Sequence, residues 1–132
     1  MIIAHGIDLV DVSSTARLLA DPTDQFLTRC FTANEQASAG SGVDRSHRLS
    51  GRFATKEAVM KALGTGFGEG IGFLDIETIT LASGAPSIVL HGKAQRRAEL
   101  LGISSWLVST SHEANMAIAS VIGLADLGQR DR

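Results

Sequence analysis

The sequence predicts an α+β fold, and three observations carry that prediction. The chain opens on a short, mostly apolar, partly β-branched run from Met1 to Val10, the composition of a buried strand. A long helical pattern fills the middle, from about Arg45 to Leu63. There Leu49, Phe53, Met60 and Leu63 form one apolar stripe, and Ala54, Ala58 and Ala62 form a second of small residues. Near the end, two strand-like runs, Ser105–Thr110 and Met116–Ile122, flank a polar hinge over Ser111–Asn115. An order of strand, helices, then strands with one inserted helix is α+β rather than alternating.

Each element has its own signal. Residues 2–10 read as the first strand. Short helices follow over Asp11–Ala20 and Asp24–Cys30, split by Pro22. Thr32 with Glu35 three residues on has the capping-box form, so a further helical turn starts there. Ala37–Asp44, rich in Ser, Gly and Ala, reads as a loop before the long helix, and Thr65–Gly72 as an irregular segment after it. Leu74–Leu81 and Ser87–His91 read as strands joined by a turn at Ser83–Pro86. Lys93–Leu101 reads as a helix stopped by Gly102. Residues 1–123 are expected to form one domain, with a polar tail from Leu124 to Arg132.

Composition narrows the function classes. A chain of 132 residues with 44% hydrophobic content builds one small core, and oligomerisation would extend it. The net charge of −2 gives no global basic field for nucleic acid or membranes. Arg45, Arg48 and Arg52, or Lys93, Arg96 and Arg97, form a basic patch or simply a solvated helix face. The single cysteine, Cys30, excludes an intramolecular disulfide and reads as a small buried hydrophobe. Met1–Val10 lacks a positive n-region and is broken by His5 and Asp8, so it is not expected to be a signal peptide. No apolar run reaches the roughly 20 residues that span a bilayer. The expected location is the cytoplasm.

Three charged residues sit where charge is costly. Glu57 and Lys61 lie between the two stripes of the long helix, one turn apart. They are either a surface pair worth a few tenths of a kcal/mol or part of a site where a cation, a metal or donors satisfy the carboxylate. Asp8 interrupts the first strand. It ends that strand, or caps the helix over Ser13–Ala20, or faces Glu57 across a site. Two carboxylates sharing a site repel unless a cation lies between them, and a carboxylate pair with phosphate oxygens and water suits Mg²⁺. Lys56 is expected to point toward the apolar stripe, with its head either snorkelling to solvent or contacting ligand, so that methionine would be neutral for stability.

Gly6-Ile7-Asp8, Arg52-Phe53-Ala54-x-Lys56-Glu57-Ala58-x-x-Lys61-Ala62 and Val108-Ser109-x-Ser111-His112 occur in this order. Asp75-Ile76-Glu77 and Gly84-x-Pro86…Leu90-x-Gly92-x-Ala94 lie between the last two. The set resembles the holo-acyl-carrier-protein synthases, small trimeric 4′-phosphopantetheinyl transferases, over about residues 4–123. The resemblance implies a three-stranded antiparallel sheet wrapped on the long helix. It also implies transfer of 4′-phosphopantetheine from coenzyme A to a serine of an apo acyl carrier protein, with release of 3′,5′-ADP.

In that reading Asp8 and Glu57 hold Mg²⁺ and Lys61 meets the diphosphate. Either Glu57 or a metal-bound water takes the serine proton. His112 contacts the 3′-phosphate of coenzyme A, Ser111 adds a hydroxyl, and Arg52 is a second phosphate candidate. Gly64, Gly66 and Pro86 line the adenine pocket, or shape loops only. The site would lie between neighbouring subunits of a homotrimer. Val12-Ser13-Ser14-Thr15-Ala16 stands where relatives often carry basic residues, which leaves the carrier-docking residues open. Two other readings stand beside the enzyme: a non-catalytic coenzyme A or nucleotide-binding module of the same shape, and an interaction subunit with structural carboxylates.

Overall fold

The computed structural model describes residues 1–64 and 70–126. In chain order the elements are β1 (Ile2–Asp11), α1 (Val12–Ala20), α2 (Phe26–Cys30), α3 (Ala33–Ser38) and α4 (Arg45–Leu63). After a 3-10 turn over Phe73–Asp75 come β2 (Ile76–Thr80), β3 (Pro86–Leu90), α5 (Gly92–Leu101), β4 (Ser105–Glu113) and β5 (Met116–Leu124). The fold is α+β, as the sequence predicts. An antiparallel three-stranded sheet in the order β1-β5-β4 packs against α4, and β2 and β3 form a separate antiparallel pair.

The long helix has the span its periodicity predicts. It ends at Gly64, whose φ of 73° is the left-handed stop that glycine adopts freely. Arg97 of α5 donates from Nε to the Leu63 carbonyl at 3.2 Å, satisfying one of the carbonyls left open at that end. The capping box at Thr32 and Glu35 is present with both of its hydrogen bonds. Asp11, not Asp8, caps α1: its carboxylate accepts from Ser14 N at 3.0 Å. Asn115 ties the same corner to the hairpin, donating to Asp11 at 2.9 Å and accepting from Ser13 N at 3.0 Å.

Strand ends differ most from the sequence reading. The polar hinge shrinks to Ala114 and Asn115, because Glu113 pairs with Met116 and His112 with Ala117. Ser111 and His112 therefore lie in β4 and not in a turn. Cross-strand pairing overrides their low hydrophobicity. At the other end β5 runs on to Leu124, which pairs with Ile2 and Ser105. The rest of the expected tail, beyond Asp126, lies outside the described residues.

The core sits between α4 and the sheet. Leu49, Ala54, Ala58, Val59 and Leu63 of α4 are buried with Ala119 and Val121 of β5. The small-residue stripe has a specific purpose. A Cβ placed on Gly6 would lie 1.9 Å from the Ala58 carbonyl oxygen and 3.1 Å from Ala62 N. Glycine in β1 over alanines in α4 lets the two backbones approach directly. Phe26, Phe31, Phe53 and Phe73 close the other side of α4; Phe26 meets Phe31 edge-on at 5.7 Å. Cys30 is buried beside them, and burial pushes its thiol up.

Candidate active site

The Gly6 contact carries Asp8 to α4. Strand alternation puts Ala4, Gly6, Asp8 and Val10 on the more buried face of β1. Asp8 thus stands in mid-strand, one pleat beyond the point where β1 touches the helix. Lys61 Nζ donates to Asp8 Oδ1 at 2.9 Å and to the Ile7 carbonyl at 3.0 Å. The Asp8 side chain is only 15% exposed, while that of Lys61 is 56% exposed.

Glu57 lies one turn before Lys61 on the same helix. Burial pushes its carboxyl above the usual carboxylate range, the negative charge of Asp8 pushes it further, and Lys61 partly offsets both. The two carboxylates are therefore close enough to repel. The alternatives for Asp8 of strand end or helix cap are excluded, since it neither ends β1 nor caps α1. A pair of oxygen donors from two elements fits Mg²⁺, which takes one or two protein carboxylates and keeps several waters. Among the described residues no group of three or more His, Cys, Asp and Glu is arranged to hold a metal.

A second site lies along the other half of α4. A cavity of about 230 Å³ is bordered by His47, Arg48 and Arg52 of α4, Pro86 at the start of β3, and Ser111 and His112 of β4. Arg52 donates from Nη2 to Ser38 Oγ at 3.2 Å, and burial lowers its guanidinium from the usual value. His112 pairs with Ala117, whose side chain is buried, so its ring turns toward α4. Ser111 is displaced by one residue and pairs with Ile118, on the alternate position of the strand, and it too borders the cavity.

The implied site residues thus fall into two groups. Asp8, Glu57 and Lys61 meet over the C-terminal half of α4, with Gly64 at its end. Arg52, Pro86, Ser111 and His112 surround the cavity, which none of Asp8, Glu57 or Lys61 lines. Gly66 lies outside the described residues.

Lys56 departs from expectation. Its ammonium does not snorkel: the side chain is 0% exposed, as is that of Glu35, and the two lie 2.8 Å apart. Nζ also donates to the Phe73 carbonyl at 2.9 Å and to the Ile76 carbonyl. Glu35 in turn accepts from Thr32 N, from Thr78 N and from Thr78 Oγ1. Burial pulls Lys56 below the usual lysine value, and the charge of Glu35 works against that. The pair fastens α3, α4 and β2 together next to Glu57.

Sequence reasoning missed His47 as a lining residue and treated Arg48 only as part of a basic patch. The signal was present. His47, Arg48, Gly51, Arg52 and Thr55 follow helical spacing along one face.

The comparisons agree with this geometry. The 4′-phosphopantetheinyl transferase superfamily model matches residues 4–119. The chain is 45% identical over 117 residues to the holo-[acyl-carrier-protein] synthase of Gloeobacter violaceus, covering 88% of each chain. It is 43% identical over 122 residues to that of Solidesulfovibrio magneticus, covering 92% of this chain and 98% of the relative. Among solved structures, the Helicobacter pylori holo-[acyl-carrier-protein] synthase in complex with coenzyme A superposes with a TM-score of 0.79. That match has 32% identity over 91% of this chain and 99% of the other. The Neisseria meningitidis enzyme gives a TM-score of 0.81 at 31% identity, over 94% and 99%. A fold, an ordered set of motifs and near-full-length similarity coincide, and this chain belongs to the 4′-phosphopantetheinyl transferase superfamily, among the holo-[acyl-carrier-protein] synthases.

Proposed function

We propose that this chain transfers 4′-phosphopantetheine from coenzyme A to a serine hydroxyl of an apo acyl carrier protein and releases 3′,5′-ADP. The observation that carries the reading is the meeting of Asp8, Glu57 and Lys61, three charged groups from a strand and a helix gathered at one half-buried point. Burying such charges without a ligand is expensive. The serine oxygen attacks the β-phosphorus of the diphosphate, and the bond from that phosphorus to the bridging oxygen breaks. Chemistry of this kind needs positioning and charge stabilisation more than covalent help.

Asp8 and Glu57 are the residues that would hold Mg²⁺, which when bound would offset negative charge on the diphosphate. Lys61, half exposed and already bound to Asp8, reaches the same phosphates as a point charge. Arg52 and His112 are cationic or donor groups around a cavity, suited to the 3′-phosphate, with Pro86 beside the adenine. Ser111 borders the same cavity and would add a hydroxyl there.

The homotrimer belongs to the same reading. The outer face of the β1-β5-β4 sheet exposes Ile7, Leu9 and Leu107, with Leu9 paired to Ile118 and Leu107 to Ile122. An apolar sheet face of this kind suits a second copy of the chain. A site shared between subunits would bring the Asp8–Glu57–Lys61 group of one chain to the cavity of the next. No helix among the described residues is long and apolar enough to cross a membrane, and the reading places the reaction in the cytoplasm, in a single domain over 1–123.

The deciding experiment incubates the protein with coenzyme A, Mg²⁺ and an apo carrier, then weighs the carrier by mass spectrometry. A gain of one phosphopantetheine is expected. Tight binding of coenzyme A with no change in carrier mass would leave a non-catalytic binding module instead.

A further inference from the structure

His47 stands on the α4 face that borders the cavity. Its ring centroid is 5.5 Å from that of His112, with the planes tilted by 58°. Its Nδ1 is buried and has no hydrogen-bond partner among the described residues. A buried N–H with no acceptor loses a full hydrogen bond, so the neutral ring keeps its proton on Nε2. The ring borders the cavity while Nδ1 is buried, so the Nε2 edge is the one a ligand meets.

Among the described residues, the charged side chains bordering the cavity are two arginines. Arg48 and Arg52 flank the His47 ring on α4, and His112 faces it from β4. The residues that β2, β3 and the turn between them bring to the cavity, Thr78, Ile79, Thr80, Gly84, Pro86 and Ser87, carry no charge. Glu35 of α3 acts on Arg52 through space. Glu113, next to His112, turns to the other face of the sheet. Among the described residues no carboxylate lines the cavity.

We propose that His47 is a specificity contact for the 3′-phosphate of coenzyme A, with its Nε2–H donating to a phosphate oxygen beside His112. This rests on reading the cavity as the pocket for that phosphate. A dianion beside the Arg48 and Arg52 guanidinium groups relieves their mutual repulsion, and the two imidazoles offer N–H donors.

The test is calorimetric binding of coenzyme A and of 3′-dephospho-coenzyme A to the full chain, wild type, His47→Leu and His47→Gln. The wild type should prefer coenzyme A. His47→Leu should cut that preference roughly tenfold, the scale of one charge-assisted hydrogen bond. Binding of 3′-dephospho-coenzyme A should hold unchanged, which also shows that the variant is folded. His47→Gln keeps an N–H donor and should retain more of that preference than His47→Leu. Equal weakening of both ligands by His47→Leu, or no weakening of either, overturns the role of His47 and leaves the cavity reading intact. A wild type indifferent to the 3′-phosphate overturns both.

Discussion

The ammonium of Lys56 and the carboxylate of Glu35 lie 2.8 Å apart with both side chains wholly buried. Lys56→Met would remove the cation and leave Glu35 charged in the core. The expected loss is about 3–5 kcal/mol of stability, read as a lower denaturation midpoint in urea. Partial recovery from a second change, Glu35→Gln in the Lys56→Met background, would show that the stranded charge is a cause; the amide nitrogen cannot accept from Thr32 N or Thr78 N, so full recovery is not expected.

Gly6→Ala tests the approach of β1 to α4. The added methyl meets a backbone carbonyl that cannot rotate away. A loss of about 3 kcal/mol is expected, with weakened metal-dependent activity because Asp8 moves with the strand. A variant as stable as the wild type would mean that β1 and α4 are further apart than described.

Asp8→Ala and Glu57→Ala should each abolish turnover, by about a thousandfold or more, while the urea midpoint stays near the wild-type value. Glu57→Gln keeps the shape but not the charge and should be nearly as damaging. Chelation with EDTA should mimic these losses in the wild type, and added Mg²⁺ should reverse them. A folded Glu57→Ala protein with near-normal rate would remove Glu57 from the reaction.

Lys61→Ala should lower kcat by roughly a hundredfold and change the KM for coenzyme A less, if its charge acts mainly on the transition state. An effect confined to KM would make Lys61 a ground-state binder.

The shared-site arrangement predicts complementation. An inactive Glu57→Ala chain co-assembled with an inactive His112→Ala chain forms sites with Glu57 from one and His112 from the other. Random mixing in a closed ring of three restores about a quarter of the sites. Light scattering should show a trimer first. A monomer that turns over, or mixed trimers that stay inactive, would place His112 in the same site as its own Glu57.

Acid should loosen the α3 corner. Hydrogen bonding from Thr32 holds the Glu77 carboxyl below the usual carboxylate range; burial opposes it, and His91 adds a smaller lowering effect. A lowered folded value contributes stability that is full above the usual range near 4.5 and is lost as pH falls through the lowered value. Glu77→Gln should flatten that part of the stability profile, measured by urea midpoints at successive pH values.

Local signals were legible in the sequence wherever the physics is local. The span of α4 follows from its own periodicity and its glycine stop, and the capping box of α3 from residues three apart. The pairing of Asp8 with the Glu57–Lys61 turn was legible as one alternative among three, because costly charges must find partners. Tertiary structure alone decided the rest. Whether Ser111 and His112 lie in a turn or a strand depends on the register against β5, which no residue of β4 encodes by itself. Whether Lys56 reaches solvent depends on Glu35, Phe73 and Ile76, brought to it from other segments. His47 became a candidate only when β4 set His112 against it, since a lone histidine on a helix has no role until another element supplies its neighbour.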